Sequence, residues 1–158
     1  DEPDDKAEEH EREVTAAQLP APALAALKKL ASGAQLTAFA EEVEHGHTFY
    51  EGSWKNAAGS DVDGLVTPTG DLVELEEHVA DTDTPAAVLA LARQAAGPDA
   101  SVVFEKKTLV LYEIHFTKDG RRHEVLVTPD GRTVETEVKD GKGDTERHED
   151  ENAAEDDD

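Results

Sequence analysis

The chain has 158 residues and contains no cysteine and no methionine. Disulfides, zinc–thiolate sites, iron–sulfur clusters and cysteine nucleophiles are therefore excluded. Aromatic residues make up 4% and hydrophobic residues 37%, which permits only a modest core. Basic residues are scarce: 15 Lys and Arg stand against 38 Asp and Glu, for a net charge of −23. A nucleic-acid binder needs a basic stripe to displace counterions from phosphate, and an anionic membrane surface repels the same charge. No apolar run approaches the ~20 residues of a spanning helix. Neither a nucleic-acid partner nor membrane insertion is expected. The first residue is Asp1 rather than Met, so the chain is expected to be either a mature product whose signal peptide has been removed or a trimmed one.

What is present is unevenly spread. Residues 1–13 hold eight acidic and two basic side chains, and residues 139–158 hold ten and three. Such segments bury too little apolar surface to offset ordering entropy, so 1–13 and 141–158 read as solvated acidic tails. A protein that binds them should be cationic. Asp150, Glu151, Asp156, Asp157 and Asp158 also offer oxygen ligands to a hard cation, calcium being the natural candidate.

Between the tails the sequence repeats itself. Leu65-Val66-Thr67-Pro68-Thr69-Gly70 returns as Leu126-Val127-Thr128-Pro129-Asp130-Gly131, at an offset of 61. Phe49-Tyr50-Glu51 returns as Leu111-Tyr112-Glu113, at an offset of 62. The repeats span 14–80 and 81–140. Each opens with a Pro-led Ala/Leu helix. In the first, Thr15 and Gln18 form a capping-box pattern, and Leu24, Leu27 and Leu30 form one stripe of a helix over 23–31. In the second, Thr84 is the N-cap candidate, Pro85 the first helical residue, and Gly97-Pro98 the stop.

After each helix the apolar period changes to two. Tyr112, Ile114 and Phe116 alternate with Glu113, His115 and Thr117, and Asp119-Gly120 signals a tight hairpin. A two-residue turn there pairs Phe116 with His123, Ile114 with Val125 and Tyr112 with Val127. A one-residue slip would set Glu124 against Ile114. The expected fold is α+β: two tandem helix-plus-antiparallel-sheet repeats sharing one continuous sheet, with both helices packed on one face.

Leu19-Pro20 before an Ala/Leu/Lys helix, the strand bearing Tyr112, the Asp119-Gly120 hairpin and Thr128-Pro129-Asp130-Gly131 before the last strand resemble the PepSY-like group. That group in turn resembles the fold of β-lactamase inhibitory proteins. The resemblance covers Val14 to Val138. It is weaker in the first repeat, where Thr69 replaces the turn Asp and the middle hairpin is longer. It implies an extracytoplasmic, non-catalytic domain with a helix-backed sheet that binds or inhibits other proteins, peptidases being the usual suggestion. It supplies no active-site residues.

The residues themselves name no reaction. There is no Gly-rich phosphate loop, no nucleophile elbow and no His-Glu-x-x-His pattern. Asp61, Asp63 and Asp71 do not follow the spacing of a calcium-binding helical loop. His45 and His47, beside Glu42 and Glu44, could hold a divalent metal, but spacing fixes no third ligand and a polar turn is the simpler reading. No enzyme and no bound cofactor are expected. Trp54 shares a face with Tyr50 and reads as core. Phe49 then faces the open side, where an aromatic is an interface candidate. The expected partner-binding residues on that open face are Phe49, Glu51, Glu113, His115 and Leu126. The function expected is protein–protein contact, inhibitory or as an accessory subunit of an envelope assembly; the alternative is an acidic cation-binding or surface-solvating protein.

Overall fold

The computed structural model describes residues 10–139. Strand β1 (His10–Glu13) leads through a single 3₁₀ turn (Ala16–Gln18) into helix α1 (Ala21–Leu30). Strands β2 (Leu36–Glu44), β3 (His47–Lys55), β4 (Asp61–Val66) and β5 (Leu72–Val79) follow as an antiparallel meander. Helix α2 (Ala86–Ala96) opens the second repeat, and β6 (Phe104–Leu109), β7 (Tyr112–Lys118), β8 (Arg121–Val127) and β9 (Thr133–Lys139) complete the chain. No helix among the described residues is long and apolar enough to cross a membrane.

The core belongs to the first repeat. Pro20 and Pro22 set the first turn of α1, where a missing N–H goes unused. Ala23 and Leu27 fall four residues apart on one face and are fully buried. They join Leu19 and Val66 in one cluster, and Ala31, Trp54 and Val62 form a second. Trp54 is thus in the core, as its alternation with Tyr50 requires. The sheet makes room for the helix with glycine. A Cβ at Gly52 would lie 3.0 Å from Leu27 Cδ1, and one at Gly64 would lie 3.0 Å from Trp54 Cη2.

The expected single sheet is not found. The strands form a six-stranded sheet in the order β1-β2-β3-β4-β5-β6 and a separate three-stranded sheet β7-β8-β9. The fold is β-dominated: among the described residues there are nine strands against two short α-helices, and of those helices α1 has buried residues and α2 has none. The physical reason lies at the joint. Copy one places a two-residue turn, His45-Gly46, between β2 and β3, with both residues at positive φ, so those strands fold into a hairpin. Copy two has Val110-Leu111 between β6 and β7, with no turn residue. Strand β6 instead pairs with β5, and the Val110 N–H donates to the Val73 carbonyl at 3.0 Å. The two repeats do meet edge to edge, at β5–β6, but the sheet does not continue into β7. Residues 10–13 of the segment read as a tail form β1, and Arg12 Nε donates to Glu41 Oε1 at 2.8 Å. Helix α2 also starts one residue later than expected: Pro85 is its cap, and the Thr84 hydroxyl donates back to the Ala80 carbonyl.

The repeat itself is exact in the turns. The Thr67 N–H donates to the Asp71 carbonyl and the Asp71 N–H to the Thr67 hydroxyl; Thr128 and Arg132 make the same pair of bonds, all within 2.9–3.1 Å. Both threonines are buried. The β7–β8 hairpin has the expected register, with Asp119 and Gly120 both at positive φ.

Candidate functional site

Charge collects on the face of the six-stranded sheet turned away from α1. Alternation along β2, β3, β4 and β5 brings Glu42, Glu44, Glu51, Asp63, Glu74 and Glu76 to that side. With Lys107 from β6 and Arg132 from the β8–β9 turn they line a groove of ≈ 380 Å³. Leu65, Leu109 and Leu111 contribute apolar wall. The β8–β9 turn comes down on the same face: His47 Nδ1 lies 3.0 Å from Asp130 Oδ2, at ion-pair distance without hydrogen-bond alignment.

The two ends of the groove handle crowded carboxylates differently. Glu74 and Glu76 share Lys107, whose Nζ donates to Glu74 Oε1 at 2.9 Å and also to Glu76. The Glu74 hydrogen bond, and then Lys107, hold Glu76 below its ordinary value, while the bond to Glu76 lifts Glu74. At the other end the charges that act most on Glu42 and Glu51 are those of other carboxylates. Glu11, Glu42 and Glu51 each place a carboxylate oxygen within 4.8 Å of the others. Burial, then the charges of Glu42 and Asp63, push Glu51 up to about 8. Burial also raises Glu42. Crowding there is relieved by taking up a proton, which leaves a half-buried carboxyl pair that a cation can discharge.

On the three-stranded sheet the matching face is acidic too. His115 lies between Glu113 and Glu124, 3.6 Å from an oxygen of each. Glu124 Oε2 accepts from Lys139 Nζ at 2.6 Å, and that bond holds Glu124 below its ordinary value. Glu113, Glu124, Leu126, Glu135 and Glu137 line a shallow depression of ≈ 260 Å³.

The five residues expected to bind a partner are not gathered in one place. Glu51 is in the groove; Glu113 and Leu126 line the depression, with His115 beside them. Phe49 is on the same side as Glu51 but is only 5% exposed, so it is structural where an open anchor was expected. The β8–β9 turn lies at that end of β3, through His47 and Asp130. His45 sits in the turn and His47 is engaged with Asp130, and neither joins a cluster of three ligands among the described residues. Asp150, Glu151, Asp156, Asp157 and Asp158 lie outside the described residues. The sequence reading missed Glu42, Glu44, Asp63, Glu74, Glu76 and Lys107 as a group. The signal was available: acidic residues of one parity recur on successive strands of a meander, which stacks them on one face.

Fold and groove together define a β-dominated protein with a helix on one side of its main sheet and an acidic groove on the other. No family model matches the chain, and no curated protein matches it in sequence. Among solved structures it is similar to a protein of Bacteroides eggerthii described as periplasmic, at a TM-score of 0.48 and 20% identity over 76% of this chain and 88% of that one. It is also similar to a DUF2874 family protein from Bacteroides ovatus, at 0.44 and 15% identity over 77% and 88%. A Bacteroides thetaiotaomicron protein described as calcium-regulated and periplasmic is similar at 0.33 and 16% identity over 80% and 96%. Likeness at this level assigns no function.

Proposed function

We propose that the protein is a non-catalytic, extracytoplasmic binding domain of PepSY-like type whose acidic groove receives a basic segment of another protein. The observation that carries this reading is the cluster of Glu11, Glu42 and Glu51, whose carboxylate oxygens lie within 4.8 Å of one another, with burial raising Glu42 and lifting Glu51 to about 8. A lysine or arginine can lay its methylene stem along Leu65, Leu109 and Leu111 and set its charge between those carboxyls. Entry of the cation expels the proton. The extracytoplasmic placement rests on the repeat's resemblance to PepSY-like domains, and recovery of the native protein from cytoplasm alone would sink it.

Calorimetry with a lysine-rich peptide tests the groove. Uptake should release about one proton near neutral pH, read from the dependence of the heat on buffer, and should weaken as salt rises. Glu51→Gln should weaken binding on the order of tenfold, as loss of a charge-assisted hydrogen bond does. Equal affinity of the variant and the unaltered protein would overturn the reading.

A second reading is divalent-cation binding, favoured by the three carboxylates of Glu11, Glu42 and Glu51 within 4.8 Å. Calcium titration of the full chain and of a chain ending at residue 140 separates groove uptake from uptake by the tail. No heat in either would remove this alternative.

A further inference from the structure

The second repeat holds an apolar seat that the chain's own helix does not fill. Tyr112, Ile114 and Phe116 on β7 are 56%, 47% and 42% exposed. Register sets His123 and Val125 beside them on β8, and Val138 and Thr136 on β9. Phe116 and His123 stack with ring centroids 4.9 Å apart. Meanwhile α2 has no buried residue, and no residue after Leu75 joins either core cluster.

The first repeat shows what such a seat takes. Aligning the caps Pro20 and Pro85 matches Leu27 with Ala92, and the strand repeat that matches Tyr50 with Tyr112 matches Gly52 with Ile114. In repeat one a large helix residue meets a glycine, with 3.0 Å between Leu27 Cδ1 and the Cβ position of Gly52. In repeat two the sizes are exchanged: a small Ala92 would meet a large Ile114. Paired changes of this kind conserve volume at a helix–sheet contact. The seat and α2 are therefore cut to fit each other.

We propose that the seat is filled by α2 of a second copy, with the two chains exchanging helices about a two-fold axis. Strand β6 is fixed to the main sheet by six residue pairs with β5, and by ion pairs of Lys106 with Glu77 and of Lys107 with Glu74. The three-stranded sheet follows two residues later, so the seat is held in place while α2 stays outside it. Charge favours a self-contact here. The chain carries −23, yet neither α2 nor the seat face holds a carboxylate: Arg93 is the one charge of α2, and Lys118 and Arg121 stand at the hairpin end of the seat. Buried aromatics bring roughly 150–250 Å² each. A two-fold axis makes two such seats, so Tyr112 and Phe116 of both chains are covered together. None of the seat residues named above lines the acidic groove.

The absence of cysteine makes the test clean. Ala92→Cys, carrying a tag that changes its mass, is mixed with Ile114→Cys and treated with a short bismaleimide. The expected product is the mixed dimer, with none from Ala92→Cys mixed with Asp119→Cys. The unaltered full chain should sediment at twice the monomer mass, increasingly so as salt screens the mutual repulsion. Ile114→Glu should weaken self-association by more than about tenfold. A chain carrying both cysteines that links only within itself would show that its own helix closes the seat, and would overturn the exchange. So would a monomer at every concentration and salt, or a mixed pair that never links.

Discussion

Thr67 and Thr128 hold identical turns 61 residues apart, yet Gly70 beside the first is pressed against α1 and Gly131 beside the second faces open space. Turn chemistry is local. A threonine hydroxyl, a proline and a glycine at positive φ suffice, and both copies have them. Helix packing is not local. It needs a large residue on the helix, room in the sheet beneath it and a chain path that brings them together. Repeat one meets all three conditions with Leu27, Gly52 and the β2–β3 hairpin. Repeat two departs from all three: Ala92 and Ile114 stand where Leu27 and Gly52 do, and β6 pairs with β5 and not with β7. Two copies of similar sequence thus share their turns and differ in their cores.

The two repeats differ most at Leu27. Leu27→Ala should destabilise the chain by about 2–5 kcal/mol, the usual range for an emptied core site. Leu91→Ala, on α2 at 64% exposure, should stay within about 0.5 kcal/mol when measured at concentrations dilute enough for a monomer. Urea unfolding of both variants decides it. Equal losses would mean that repeat two has a core of its own in the single chain.

Next come the two turn glycines. Gly70 and Gly131 have φ of 88° and 87°, so alanine at either loses a conformation that costs about 1 kcal/mol for a residue with a Cβ. At Gly70 the new Cβ would also lie 2.6 Å from the Pro22 carbonyl oxygen, whereas at Gly131 it meets nothing within 4 Å. Gly70→Ala should therefore cost about 1–3 kcal/mol more than Gly131→Ala. Thermal melts of the pair would show it, and equal shifts would mean that α1 gives way freely.

The same contrast explains how much could be read from residues alone. The β7–β8 register was legible because Asp119-Gly120 fixes the turn and a slip would bury Glu124. Trp54 was legible because it shares parity with Tyr50. The second sheet was not, because whether β6 pairs with β5 or with β7 turns on two apolar residues, Val110 and Leu111, that carry no turn signal. Phe49 illustrates the limit of parity: it gave the right side of the sheet and could not report that a turn 80 residues later settles at that end of the strand. The groove was half legible. Glu51 was singled out, but Glu42, Glu44, Asp63, Glu74 and Glu76 look like solvated charges until strand order stacks them.

A subtler difference separates Glu51 from its counterpart Glu113, 62 residues on. Both are glutamates on the acidic faces of their sheets. Glu51 is half-buried among carboxylates, while Glu113 is exposed. Burial and the neighbouring charges lift Glu51 from the ordinary 4.5 to about 8, so the folded chain keeps a proton that the unfolded chain gives up near 4.5. That proton favours the fold fully below about pH 4.5, and its contribution is lost as pH rises through about 8. The melting temperature should therefore fall between about pH 5 and pH 8 in the unaltered protein. Glu51→Gln, neutral at every pH, should flatten that fall and raise the melting temperature near pH 8 by roughly 2–4 °C. Glu113→Gln removes a solvated charge and should leave the slope as it is. Parallel slopes in Glu51→Gln and the unaltered chain would show that the groove does not hold its carboxyl pair away from water, and would weaken the case for a basic ligand there.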